Sequence, residues 1–185
     1  DHTGLGLHPG SGSQRPLIRG NRVERNDIGI FFCWGVKYGL AEKNIVERNR
    51  LGVSIGHRDT DNLIRDNDIR QSGQVGVLFR PERGKDFAPH RNRLENNRII
   101  DSGPETGIGV DVQGQTESVT IAKNEIRETR EPMSRVGVHI GAETRQHRER
   151  PIAETGQHGR RRRQHVGDTY RDQSTTETGQ LESRQ

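Results

Sequence analysis

Asp111 and His139 hold the strongest chemical promise in this chain, because each takes the third place of a Gly-aliphatic-x-aliphatic step, Gly109-Val-Asp-Val112 and Gly137-Val-His-Ile140. In a strand, the aliphatics of such a step point to one face and x to the other. An acid and an imidazole on the same face of consecutive repeats form a proton-transfer pair. Arg80 and Gln113 stand two residues beyond the x position of their own steps and face outward by the same alternation. A guanidinium there neutralises a substrate carboxylate while Asp111 or His139 takes the neighbouring proton. Asp111, His139 and Arg80 are thus the expected catalytic set for proton abstraction beside a sugar carboxylate. The plainer alternative is an exposed ion pair.

Neighbouring loops add binding candidates. His57, Arg58, Arg83 and Gln113 are expected to contact substrate, and Trp34 and Tyr38 have rings suited to stacking on sugars. Gly35 and Gly39 in the same loop suit a rim, although both aromatics can equally cover the flank of the fold. Asp59, Asp61, Asp66 and Asp68 are oxygen donors of the kind calcium takes. Asp59-Thr-Asp61 lacks the glycine and terminal glutamate of an EF-hand loop, so calcium stays an alternative and no cofactor or metal site is expected. Cys33 is the only cysteine, which rules out an intrachain disulfide or a cysteine-built zinc site. His90-Arg91 is expected only to turn the chain.

These residues need a scaffold, and two recurring templates supply it. The first, N-x-[VIL]-x-x-N-x-[IL], is carried by segments starting at Asn21, Asn44, Asn62 and Asn92, and in weaker form at Val119. Its second Asn falls at 26, 49, 67, 97 and 124, in steps of 23, 18, 30 and 27. The second, G-[ILV]-x-[ILFV], begins at Gly4, Gly29, Gly52, Gly76, Gly109 and Gly137. Period-two alternation over so few residues means short strands with one buried face. Asn is suited to the repeated turn between them, and stacked amides about 4.8 Å apart can bond as a ladder. The residue after each ladder Asn reads Asp27, Arg50, Asp68, Arg98, Glu125, alternating in sign as cross-strand neighbours should. The outward column of the second template then reads Gly6, Phe31, Ser54, Leu78, Asp111, His139.

Helical spacing is absent, leucine is too scarce for a leucine-rich repeat, and the calcium-binding nonapeptide does not occur. The expected fold is an all-β, single-stranded, right-handed parallel β-helix of about six coils over residues 1–144. The alternation of the two templates resembles the right-handed β-helix repeat family. That family includes pectate-lyase-like polysaccharide lyases, uronan epimerases and the repeats shared by carbohydrate-binding proteins and sugar hydrolases. The resemblance covers residues 4–144 and rests on scaffold positions. It implies a carbohydrate-interacting protein of the periplasm or cell exterior, part of a lyase, epimerase or hydrolase acting on acidic polysaccharide. The alternative is a non-catalytic carbohydrate-binding or structural β-helix module.

Composition agrees with a repeat protein. Only 26% of residues are hydrophobic and 30% are charged, too little apolar surface for an ordinary two-layer domain. The net charge of +4 belongs mostly to residues 145–185, where nine Arg outnumber six acids. Nucleic acid is therefore not an expected partner, and no apolar run approaches a membrane span. Beyond Thr144 the templates stop, and a basic, irregular or disordered tail is expected. A second reading of that tail is translation in a shifted frame, since one base later Gln146-His147-Arg148-Glu149 can encode Asn-Ile-x-Asn. The gene sequence decides between them.

Overall fold

The computed structural model describes residues 4–104, 106–131 and 135–145, all within a unit spanning Asp1–Glu149. Expectations for the tail beyond Arg145, disorder and frame shift alike, lie outside these residues. The described chain is a parallel β-solenoid with three sheets. One sheet stacks β1 (Leu5–Leu7), β4 (Ile28–Phe31), β7 (Leu51–Ile55), β10 (Val75–Phe79), β13 (Ile108–Val112) and β16 (Val136–Ile140). The second stacks β2 (Leu17–Arg19), β5 (Leu40–Glu42), β8 (Leu63–Arg65), β11 (Arg93–Glu95) and β14 (Thr120–Ala122). The third stacks β3 (Arg22–Glu24), β6 (Ile45–Glu47), β9 (Asp68–Arg70), β12 (Arg98–Ile100) and β15 (Glu125–Arg127). Each coil contributes a few inward aliphatics, and stacking makes them continuous: Ile30, Val53, Val77 and Val110 on one wall, Ala41, Ile64 and Leu94 on the next, Val46, Ile69 and Ile99 on the third. Buried columns of this kind supply the hydrophobic stabilisation that the low apolar content seemed to deny.

The asparagines do stack, but in three columns instead of the expected one. Asn21, Asn44, Asn67, Asn97 and Asn124 form the longest. Asn26 and Asn49 stack at a second corner, Asn62 and Asn92 at a third. The predicted column 26, 49, 67, 97, 124 therefore crosses from one corner to another. Two adjoining edges of the coil each run five residues from corner to corner, so N-x-x-x-x-N reads alike on both. In the first two coils it spans the third-sheet edge, and from Asn62 onward the second-sheet edge. The charge column splits with it, into Asp27–Arg50 and Asp68–Arg98–Glu125. Asn67 shows why the amide is needed. Its Oδ1 accepts from Asn44 N and Nδ2 at 3.0 and 2.9 Å, and its Nδ2 donates to Ala41 O and Asn97 Oδ1 at 2.9 Å. The left-handed residue is the one before each corner, such as Lys43, Asp66, Asn96 and Lys123, and not the ladder Asn.

A second register correction concerns the first coil. Gly4-Leu-Gly-Leu7 offers two Gly-Leu steps, and the pairing of Leu5 with Ile28 and Leu7 with Ile30 sets Gly6, not Gly4, beside Gly29. A Cβ on Gly6, Gly29, Gly52, Gly76 or Gly109 would lie less than 3.0 Å from the carbonyl of the next glycine in the column, which enforces the residue type. His8 thus replaces Gly6 in the outward column, against Phe31 with ring centroids 5.1 Å apart. From Phe31 to His139 that column is as expected.

Candidate functional site

The last two coils bring Asp111 and His139 together. They are register partners, and His139 Nδ1 lies 2.7 Å from Asp111 Oδ1. Gln113 Nε2 donates to the other carboxylate oxygen, so the buried Asp111 is held from both sides while the imidazole is half exposed. Arg80 does not join them. It folds back across earlier coils, where Nη1 donates to Ser54 Oγ at 2.8 Å and to Phe32 O at 3.3 Å. Its guanidinium carbon lies 4.7 Å from the Phe31 ring centroid, and Nε pairs with Glu82 Oε1 at 3.3 Å. Ser54, outward by alternation, is buried for the same reason. The pair can exchange a proton, but the cation expected to neutralise a substrate carboxylate is engaged elsewhere.

A different set of residues converges on the flank, at the turns that follow the first sheet. Trp34, His57, Arg58 and Arg83, all binding candidates from the sequence, line one open cleft of about 380 Å³ together with Lys37 and Phe87. Trp34 is 59% exposed. Its ring packs on His57 with centroids 3.9 Å apart and planes at 43°. Arg58 and Arg83 both stand over Phe87, at 4.1 and 3.9 Å from its centroid. Phe87 closes a 3₁₀ turn, Lys85–Phe87, inside the insertion that lengthens the step between the third and fourth coils. Sequence reasoning passed over Lys37 and Phe87. The signal for Phe87 was the aromatic inside the one long insertion; Lys37 had none. Tyr38 lies outside the cleft, beneath the Arg15 guanidinium at 5.6 Å.

Two features characterise the cleft. Most arginines are paired: Arg19 and Arg65 with Glu42, Arg22 and Arg70 with Glu47, Arg91 with Asp61. Lys37, Arg58 and Arg83 have no carboxylate within 4.0 Å among the described residues; Arg15, Arg25, Lys43 and Lys123 share that state, but these three line one cleft. The second feature is backbone strain. Apart from residues standing one place before a corner, the described non-glycine residues with left-handed φ are Trp34 (69°), His57 (41°) and Arg58 (66°). Such conformations cost about 1–3 kcal/mol each and survive where the surroundings impose them.

Asp59 imposes them here. Fully buried, it accepts from Gly35 N and Val36 N at 3.0 and 2.9 Å through Oδ1, and from Gly56 N at 3.0 Å through Oδ2. One side chain therefore ties the turn carrying Trp34 to the turn carrying His57. Arg80 Nη2 approaches it to 3.9 Å, and Glu82 Oε1 accepts from His57 N at 2.8 Å. Burial pushes the Asp59 carboxyl up to about 6, against the pull of those hydrogen bonds and of Arg80. Asp59, a calcium candidate by sequence, is thus a strut, and Asp61 is committed to Arg91 at 2.7 Å.

A sequence model of the family described as periplasmic copper-binding protein (NosD) matches residues 8–147. No curated protein and no solved structure matches the chain. Copper favours converging imidazole, thiolate or thioether donors. Among the described residues no three His, Cys, Asp or Glu side chains converge in that way. His8 faces Phe31 O, His57 is stacked on Trp34, His90 has both ring nitrogens engaged, and His139 bonds Asp111. Burial raises the pKa of the Cys33 thiol, which opposes thiolate formation. The described residues therefore do not fit a copper centre. The match nevertheless spans most of the chain, and this parallel β-solenoid belongs to the NosD family.

Proposed function

We propose that the protein is a non-catalytic β-solenoid, acting in the periplasm or at the cell exterior, that binds acidic polysaccharide through the Trp34 cleft. The observation that carries this reading is the convergence of three cations without acid partners around one exposed indole on strained backbone. An indole offers a flat apolar face to a sugar ring, and guanidinium groups take carboxylates in a bidentate fork. Both side chains are held before any ligand arrives, which lowers the ordering cost of binding. A family description of periplasmic proteins supports the compartment. Copper is not assigned to the cleft, whose imidazole, His57, is stacked on Trp34 and is not joined by two further His, Cys, Asp or Glu donors among the described residues.

Trp34 is the only tryptophan, so its emission reports on the cleft directly. Titration with polygalacturonate or alginate is expected to change that emission saturably, with no release of unsaturated or reducing-end products. An unchanged emission with both polymers would overturn the reading. The hydrogen-bonded Asp111–His139 pair supports a second reading, a lyase or hydrolase of the same polymers. Products that vanish in Asp111→Asn and His139→Ala variants would favour it.

A further inference from the structure

The turns that carry Trp34 and His57 meet over a nest of buried charge. Two consecutive amides are held there by two carboxylates: Gly56 N donates to Asp59 Oδ2 at 3.0 Å and His57 N to Glu82 Oε1 at 2.8 Å. The Arg80 guanidinium lies between those acids, 3.9 Å from the first and 3.3 Å from the second. A Cβ on Gly56 would collide with Glu82 Oε1 and Arg80 Nη2, so the packing leaves this turn no slack. Cys33, from the second coil, borders the same nest, and burial pushes its thiol up and keeps it neutral. Arg58 points away, over Phe87. The fourth-coil insertion meets the turn through the carbonyls of Asp86, Phe87 and His90 and through the Asn92 amide.

We infer that Asp59 is an acid-opened latch between the two turns: a proton on Oδ2 releases Gly56 and, with it, the turn carrying His57 and Arg58. The inference concerns the unliganded protein and holds whatever the cleft binds. The two carboxylate oxygens are not equivalent. Oδ1 accepts from Gly35 N and Val36 N, whereas Oδ2 accepts from Gly56 N alone, so Oδ2 takes the proton. A protonated carboxyl oxygen becomes a donor. The groups facing Oδ2 are themselves donors, Gly56 N–H and the Arg80 guanidinium, and the Gly56 bond gives way. Arg80 keeps Ser54 Oγ, Phe32 O and Glu82, and Gly35 N keeps His57 O at 2.9 Å. The Trp34 turn therefore holds while its neighbour loosens. The left-handed φ of His57 and Arg58, 41° and 66°, then lose one of the constraints that impose them. Burial already holds this carboxyl at about 6, far above the ordinary 3.8. A global gain in stability on acidification and this local release coexist: the gain comes from no longer burying a charge, the release from one lost acceptor.

The test is a pH titration of the full chain, from about pH 8 to about pH 5, followed in proton–nitrogen correlation spectra. The Gly56 amide proton is expected to move to higher field with a midpoint of about 6, and those of Gly35 and Val36 to move less at the same midpoint. Protection of the Gly56 amide from exchange, corrected for intrinsic rates, should fall roughly 10-fold across that range, the loss of one hydrogen bond to a charged group. Gly35 should be spared. Trp34 emission should follow the same curve, because His57 packs on that ring. Asp59→Asn keeps an acceptor for Gly35 and Val36 and puts a donor in the place of Oδ2. It should hold the open state throughout, with emission like that of the acidified parent. His57→Gln, which removes the imidazole from the indole, should leave the Gly56 transition in place. A Gly56 amide indifferent to pH would overturn the latch. So would a transition that survives in Asp59→Asn or disappears in His57→Gln. Should Asp59→Asn fail to fold, the amide titration of the parent decides alone.

Discussion

At the scale of single residues, Asp59 is the most consequential side chain, and its ionisation has a defined sign. Its carboxyl holds a proton up to about 6 when folded, against the ordinary 3.8. A group raised by folding contributes stability that is complete below its unfolded value and lost as pH rises through the folded one. Stability should increase by about 1 kcal/mol on going from about pH 8 to about pH 5 through this group alone. Carboxylates held low by arginine, such as Glu128 at about 2 and Glu42, act oppositely and only at more acid pH, where they are protonated and their stabilisation is lost. Thermal melts of the parent protein and Asp59→Asn across that range check the sign: the difference between them should grow towards acid in the parent's favour. A parallel pair of curves would remove Asp59 as the titrating group. The same residue shows what sequence alone conceals. An Asp in a loop reads as a ligand or an ion pair, and nothing local says that three backbone amides will converge on it.

At the scale of elements, the strands and their inward aliphatics are legible because period-two alternation is enforced coil by coil. Register is less so. N-x-x-x-x-N fits two edges equally, and only the pairing of Ile45 with Asp68 and Leu40 with Leu63 separates them. The short Gly4-Leu-Gly-Leu7 segment fails for the same reason, since two glycines satisfy one template. Ladder energetics give sharper expectations. Asn67→Ala removes the acceptor of Asn44 N–H and of Asn44 Nδ2 and the side-chain donor to Ala41 O and Asn97 Oδ1, and should cost roughly 3 kcal/mol, lowering the melting temperature by about 6–12 °C. At the second corner the ladder gives way to Ser72 and Ser102, whose buried hydroxyls have no partner. Ser72→Asn extends the Asn26–Asn49 column by one rung and should raise the melting temperature by about 2–4 °C, roughly 1 kcal/mol. Differential scanning calorimetry reads both, and a neutral Asn67→Ala would mean that the ladder contributes nothing.

At the scale of the whole molecule, a lattice of ion pairs neutralises much of the solenoid, and three of the cations it leaves over line the Trp34 cleft. Glu42 and Glu47 each lie between arginines from neighbouring coils, and the shared pairing secures register along the axis. The last coil is the least covered, with Val136, Val138 and Ile140 all more than 40% exposed. Trp34, His57, Arg58 and Arg83, singled out from the sequence by residue type, line one cleft in the structure. The course of Arg80 was not legible, because alternation gives the face a side chain leaves from and not the direction a long guanidinium then takes. The cleft and the Asp111–His139 pair share no residue, so each can be removed without the other. The most direct measurement is polygalacturonate affinity electrophoresis of two double variants beside the parent, Arg58→Ala with Arg83→Ala and Asp111→Asn with His139→Ala. Loss of retardation in the first, with the second still retarded like the parent, is the predicted result. Retardation that survives in the first and disappears in the second would contradict the account.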